Sequence, residues 1–175
     1  VIGGDGPWPR KPDPAGLLSL RVHARGGPLV LVGDSPVDAE TAAVDFVNGA
    51  EGLLMAPSYG IPRLLARHQL SFSDIALWEI HEAFAAQVLA NVAAITDREW
   101  VRATAGVQAA MGDFDWDRVN PNGGSVALGH PFGATGARDL SQAVKELWAM
   151  PPGSRAIVSI CADGGQGTVA LLERG

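Results

Sequence analysis

Three segments carry side chains that can move protons or meet developing negative charge: His81-Glu82-Ala83-Phe84-Ala85, Gly129-His130-Pro131 and Cys161-Ala162-Asp163-Gly164-Gly165. Imidazoles titrate near neutral pH, and a thiol can be brought there by its surroundings. His81, His130 and Cys161 together therefore supply the parts for general acid–base work. Neighbouring glycines let a substrate approach backbone N–H groups closely, which an oxyanion hole requires. Each segment also has an ordinary reading. A histidine at a helix start is more often a satisfied structural or surface residue, and a lone cysteine at a strand end a small buried hydrophobe. The three together, each at a junction between expected elements, carry more weight than any one.

Other chemistries fail on the residues themselves. His81-Glu82 opens a zinc-protease motif, but Ala85 stands where the second histidine ligand would be. Gly124 to Gly129 has phosphate-loop glycine spacing, yet His130-Pro131 replaces the lysine and hydroxyl that grip phosphates and magnesium. No nucleophile-elbow serine motif occurs, and no metal site is expected.

The elements that must hold these residues read as alternating strands and helices. Leu17–His23 and Pro28–Gly33 are expected strands, the second from the run Leu29-Val30-Leu31-Val32. Pro62–Gln69 is an expected short basic helix, Leu70–Asp74 a loop with capping chemistry, and Ile75–Ile80 a strand. His81–Ile95 reads as a helix with Phe84, Val88 and Val92 on one face. Thr96–Asp117 suits short peripheral helices, and Asn120–Gly136 is glycine-rich. Leu140, Val144 and Leu147 mark a helix stripe, before strands Ala156–Ile160 and Thr168–Leu172 flank a turn at Asp163–Gly167. This order predicts an α/β layered fold with a mixed sheet. Residues 1–27 read as a Gly/Pro-rich lead or truncated junction, and 28–175 as the domain proper.

Composition narrows the function classes. The 175 residues fit one domain, and 47% hydrophobic residues suffice for a sizeable core. Thirteen Lys+Arg against nineteen Asp+Glu give a net charge of −6, which argues against a general nucleic-acid binder. One cysteine excludes an internal disulfide framework. Neither a signal peptide nor a membrane span is indicated, so a cytoplasmic, soluble chain is expected.

Trp78-Glu79-Ile80-His81-Glu82-Ala83-Phe84-Ala85-Ala86-Gln87, then Asn120-Pro121-Asn122-Gly123-Gly124-Ser125 through Gly129-His130-Pro131 to Arg138, then Cys161 to Gly167 resemble, in order, three signature blocks of the thiolases. The likeness runs from about Ala50 to Arg174, and His81 in the first block resembles the trifunctional-enzyme β-subunit type of degradative 3-ketoacyl-CoA thiolase. The resemblance implies a thiolase C-terminal domain, a mixed central sheet with helices on both faces. It implies coenzyme A as a substrate, with no tightly bound cofactor, and acyl-CoA thioesters and an oligomer partner as binding partners. By that resemblance His130 helps activate the nucleophile and donates to the thioester oxygen. Cys161 is the acid/base at the substrate α-carbon or the CoA sulfur, and His81 positions a water or donor beside the first oxyanion hole. N–H groups around Asp163 and Gly164 contribute to a second hole, with Gly129 and Phe84 beside the substrate.

Two departures qualify that reading. The family's acyl-accepting cysteine belongs to an N-terminal half, and Cys161 aligns with the other cysteine. Asp163 stands where the family usually has a small residue. A carboxylate pointing inward would oppose an enolate, whereas one turned to solvent would leave its N–H available. Three functions are therefore weighed: a thiolase C-terminal half that needs an N-terminal half for the nucleophile and is inactive alone; a non-catalytic acyl-CoA-binding or scaffold module; and a thioesterase-like hydrolase with Cys161 as nucleophile.

Overall fold

A computed structural model describes residues 37–44 and 52–175. The lead at 1–27 and the strands expected at Leu17–His23 and Pro28–Gly33 lie outside the described residues. Among the described residues four strands, β1 (Val37–Ala43), β2 (Leu77–Ile80), β3 (Arg155–Ala162) and β4 (Gln166–Glu173), form one mixed sheet in the order β1-β4-β3-β2. The β3–β4 hairpin and the β1–β4 pair are antiparallel, and β2 runs parallel to β3. The hairpin turn has φ of 84° at Gly164 and 76° at Gly165, where side chains bearing a Cβ are strained.

Helices α1 (Ala56–Arg67) and α2 (Ala85–Thr96) cover one face, and α4 (Thr135–Trp148) covers the other; the four-residue α3 (Ser125–Leu128) lies in the glycine-rich segment. The period-2 alternation of β3 sends Ile157 toward the α1/α2 face and Ala156 and Val158 toward α4. The larger core packs Leu64, Leu65, Val92 and Ile95 against Trp78, whose ring meets Phe72 and Phe114 at 5.7 and 5.0 Å. Each such buried side chain contributes about 1.5–3 kcal/mol. The expected stripe Leu140, Val144 and Leu147 is the face of α4 that meets Leu77, Ala156 and Leu172.

Helix α1 starts at Ala56 rather than Pro62. Pro57 falls in the first turn, where its missing N–H costs nothing, and Pro62, expected to open the helix, lies inside it among buried residues. Strand β1 has no apolar run to announce it. Its Asp38 and Glu40 meet Arg67 at 3.0 and 2.8 Å, so an edge strand is held by backbone pairing and exposed charges.

A second correction concerns His81. The expected helix from His81 begins at Ala85, because the His81 N–H extends the β2–β3 ladder to Ser159 O (2.8 Å) and Phe84 is extended at φ −149°. His81 and Glu82 thus leave the end of a strand, where a sheet presents chemistry.

Candidate active site

Parallel pairing of β2 and β3 brings their C-terminal ends to the same edge, so His81 and Cys161 emerge side by side. His130 is delivered by the loop before α4. Two polar clamps hold that loop. Asn120 sits at φ 45°, which asparagine tolerates, and its side-chain amide extends the sheet: Ile80 N–H donates to Oδ1 (2.8 Å) while Nδ2 donates to Ile80 O (2.9 Å) and Glu82 Oε1 (2.6 Å). Glu82 Oε2 accepts the Val126 N–H at the start of α3 (2.9 Å). Glu82 is therefore the anchor of the glycine-rich segment rather than a general base.

Gly124 is the position where that anchor needs a missing side chain. A Cβ there would lie 2.5 Å from the Glu82 carboxylate and 2.6 Å from Asn120 Nδ2. Gly124→Ala is expected to lower stability by about 1–3 kcal/mol. Chemical denaturation measures this, and a change within about 0.3 kcal/mol would mean that the clamp adjusts freely.

The rings of His81 and His130 face each other with centroids 4.2 Å apart. Thr135 Oγ1 lies 2.7 Å from His130 Nδ1 and 3.2 Å from Pro131 O; with its single hydrogen on Pro131 O, His130 carries its proton on Nδ1 and offers Nε2 as an acceptor. His81 is 2% exposed, and burial, followed by the nearby His130, holds its pKa below the ordinary 6.5. It is a neutral imidazole at pH 7. Burial also pushes the Cys161 thiol up to about 11, while backbone N–H groups of Cys161 itself and Ala83 pull the other way. Cys161 rests as a thiol, ready to donate a proton.

These groups open onto one cavity of about 720 Å³, lined by His81, His130, Cys161, Asp163 and the rings of Phe84 and Phe132. The fold thus brings His130, Cys161, His81, Phe84 and Asp163 together. Gly129, at φ 94°, turns the chain into the GHP segment, and its carbonyl accepts from Arg138 (2.8 Å). Gly164 departs from the expectation of a free oxyanion donor: its N–H is taken by Asp163 Oδ1 at 2.8 Å. The Asp163 carboxylate, at the cavity wall, caps the adjacent amide.

Sequence reasoning missed Phe132, which is 88% exposed at the mouth, as well as Leu53, Leu54 and Thr135 on the walls. The five-residue spacing of His130 and Thr135 across a loop-to-helix junction was the available signal for the last of these. Among the described residues no group of three or more His, Cys, Asp and Glu is arranged to hold a metal ion, and no helix is long and apolar enough to cross a membrane.

Two strands ending near an imidazole and a thiol face a second imidazole on a glycine-rich loop, an arrangement of groups that can exchange protons. A family model for the thiolase C-terminal domain matches residues 37–174, and the chain belongs to the thiolase family. It is 44% identical over 131 residues to a 3-ketoacyl-CoA thiolase of Photobacterium profundum, covering 75% of this chain and 30% of that one. A 3-ketoacyl-CoA thiolase of Aliivibrio fischeri is 43% identical over 121 residues, 69% of this chain and 27% of that one. The fold is similar to the dimeric peroxisomal thiolase of Saccharomyces cerevisiae, with TM-score 0.61 and 32% identity over 81% of this chain and 30% of that one. It is also similar to the Acat5 thiolase of Ascaris suum in complex with coenzyme A, with TM-score 0.59 and 29% identity over 85% of this chain and 32% of that one. The chain spans about 30% of the length of the relatives it matches.

Proposed function

We propose that this domain supplies the acid–base half of a 3-ketoacyl-CoA thiolase site, in CoA-dependent cleavage or the reverse condensation, and that a thiolase N-terminal half supplies the nucleophilic cysteine. Such chemistry serves fatty-acid breakdown in a reducing, cytoplasmic compartment. The observation that carries the reading is the meeting of His130, His81 and Cys161 in one cavity.

In the cleavage direction His130 Nε2 takes the proton of the incoming cysteine as its sulfur attacks the 3-keto carbon. The resulting oxyanion then receives hydrogen bonds from the protonated His130 and from the His81 side. When the Cα–Cβ bond breaks, the departing enolate of acetyl-CoA takes its proton from the Cys161 thiol. The Cys161 thiolate left behind is a stronger base than an ordinary thiolate, because its conjugate acid lies near 11. It removes the proton of the second CoA, whose sulfur attacks the acyl-enzyme; the shortened acyl-CoA is released as the nucleophilic cysteine leaves and takes back its proton from His130. Each proton therefore has a donor and an acceptor.

The test joins the chain to a thiolase N-terminal half bearing the reactive cysteine, fused or in trans, and follows CoA-dependent loss of acetoacetyl-CoA. Turnover that neither half has alone supports the reading; no turnover with any such half counts against it. One observation favours a second reading, a module that binds acyl-CoA without turning it over: the Asp163 carboxylate occupies the Gly164 N–H that an enolate would need. Calorimetry with acyl-CoA separates the two.

A further inference from the structure

We propose that Ser125 and Arg138 are positioning residues that lock His81 in the Nε2–H tautomer, so that it enters the cavity as a neutral hydrogen-bond donor opposite the acceptor nitrogen of His130. Its role in catalysis rests on the thiolase reading; the tautomer itself does not.

The argument counts hydrogens. Ser125 Oγ lies 2.8 Å from His81 Nδ1 and accepts a hydrogen bond from Arg138 Nη2 at 3.0 Å. Arg138 cannot turn away easily: Nη1 donates to Gly129 O (2.8 Å), and Nε and Nη2 donate to Asp139 Oδ1 (3.0 and 2.7 Å). A serine hydroxyl has one hydrogen. Among the described residues its acceptor is His81 Nδ1. Were His81 protonated on Nδ1, both His81 and Arg138 would donate to Oγ, and the hydroxyl hydrogen of a residue 6% exposed would be left buried and unmet. The Nδ1 lone pair must therefore receive the serine hydrogen, and the ring proton sits on Nε2.

With the Thr135 hydrogen on Pro131 O, the two facing imidazoles carry opposite tautomers: the His130 proton sits on Nδ1, whereas Ser125 places the His81 proton on Nε2. Two like imidazoles 4.2 Å apart become one base and one donor by the choice of hydroxyl behind each ring. Burial first, and then the facing His130, disfavour a second proton on His81; the Arg138 guanidinium adds to this against the opposing pull of Asp139.

Long-range 1H–15N correlation spectra of the full chain with 15N-labelled histidine read the tautomer directly at pH 7.5. His81 is expected to show an unprotonated Nδ1 and a protonated Nε2. Ser125→Ala should raise the Nδ1–H fraction at least fivefold, and Ser125→Thr should restore the original pattern. If Ser125→Ala fails to fold, Arg138→Gln provides the second variant, since freeing Oγ as an acceptor should yield a mixture. In the assembled enzyme Ser125→Ala should lower kcat about tenfold and leave KM within twofold. A wild-type His81 protonated on Nδ1, or a tautomer ratio unmoved by both variants, overturns the proposal. An expected tautomer without turnover overturns the thiolase reading and leaves the lock standing.

Discussion

In an enzyme assembled with a thiolase N-terminal half, His130→Ala should reduce turnover by roughly 100- to 1000-fold, the usual cost of removing one preorganised group at a developing oxyanion. Cys161→Ser should cost at least as much, because a hydroxyl cannot alternate between acid and base near neutral pH as a thiol can. Folding should hardly register the first change. His130 lies exposed on its loop, and among the described residues its side chain is held by a hydrogen bond to Thr135. Denaturation midpoints measured beside kcat decide the matter. If the midpoint falls in proportion to activity, His130 is a structural residue of the loop and the catalytic assignment fails.

The second large effect lies beneath the site. Glu79 is 1% exposed on β2, facing α4, and its carboxyl is pushed up to about 8, first by burial and then by Glu146 and Asp139. Gln142 Nε2 reaches it at 3.3 Å. Among the described residues Asp139 Oδ2 and Glu146 Oε2 are buried without a hydrogen-bond partner. Because the folded pKa exceeds the unfolded value near 4.5, the folded chain holds a proton that the unfolded chain releases. Stability from this group is full below about 4.5 and drains away as pH rises to about 8, at roughly 1.4 kcal/mol per unit. Glu79→Gln removes that titration and keeps a donor for its neighbours. The variant should gain stability over the parent as pH climbs from 5 to 8, with little gain at 4.5. Urea titrations across this range test it, and a difference that does not change with pH would remove Glu79 as the source.

Much of the site was legible before any fold was known. The glycine clusters around His130 and Cys161 follow from backbone conformations that only glycine takes without strain, as Gly129, Gly164 and Gly165 do. The strands Ala156–Ile160 and Thr168–Leu172 announced β3 and β4 through their apolar content. What escaped were elements whose stability is tertiary. Strand β1 is held by pairing with β4 and charges from α1, and the first turn of α1 hides behind two prolines and a glycine. Phe84, Val88 and Val92 recur at helical spacing, and that pattern runs the expected helix back to His81. That periodicity cannot say whether the first residues continue the helix or the preceding ladder.

Residue types and their order thus determined the thiolase character of the chain, its mixed α/β architecture and the three side chains proposed to do proton chemistry. Only the tertiary structure decided what each of them is. Strand pairing placed His81 and Cys161 at one edge, burial made the first a neutral imidazole and the second a resting thiol, and the contact between Asp163 and Gly164 closed a donor expected to be free. The reason is physical: protonation state and hydrogen-bond direction depend on solvent exclusion and on partners distant in sequence. Ser125 stands 44 residues from the imidazole it orders.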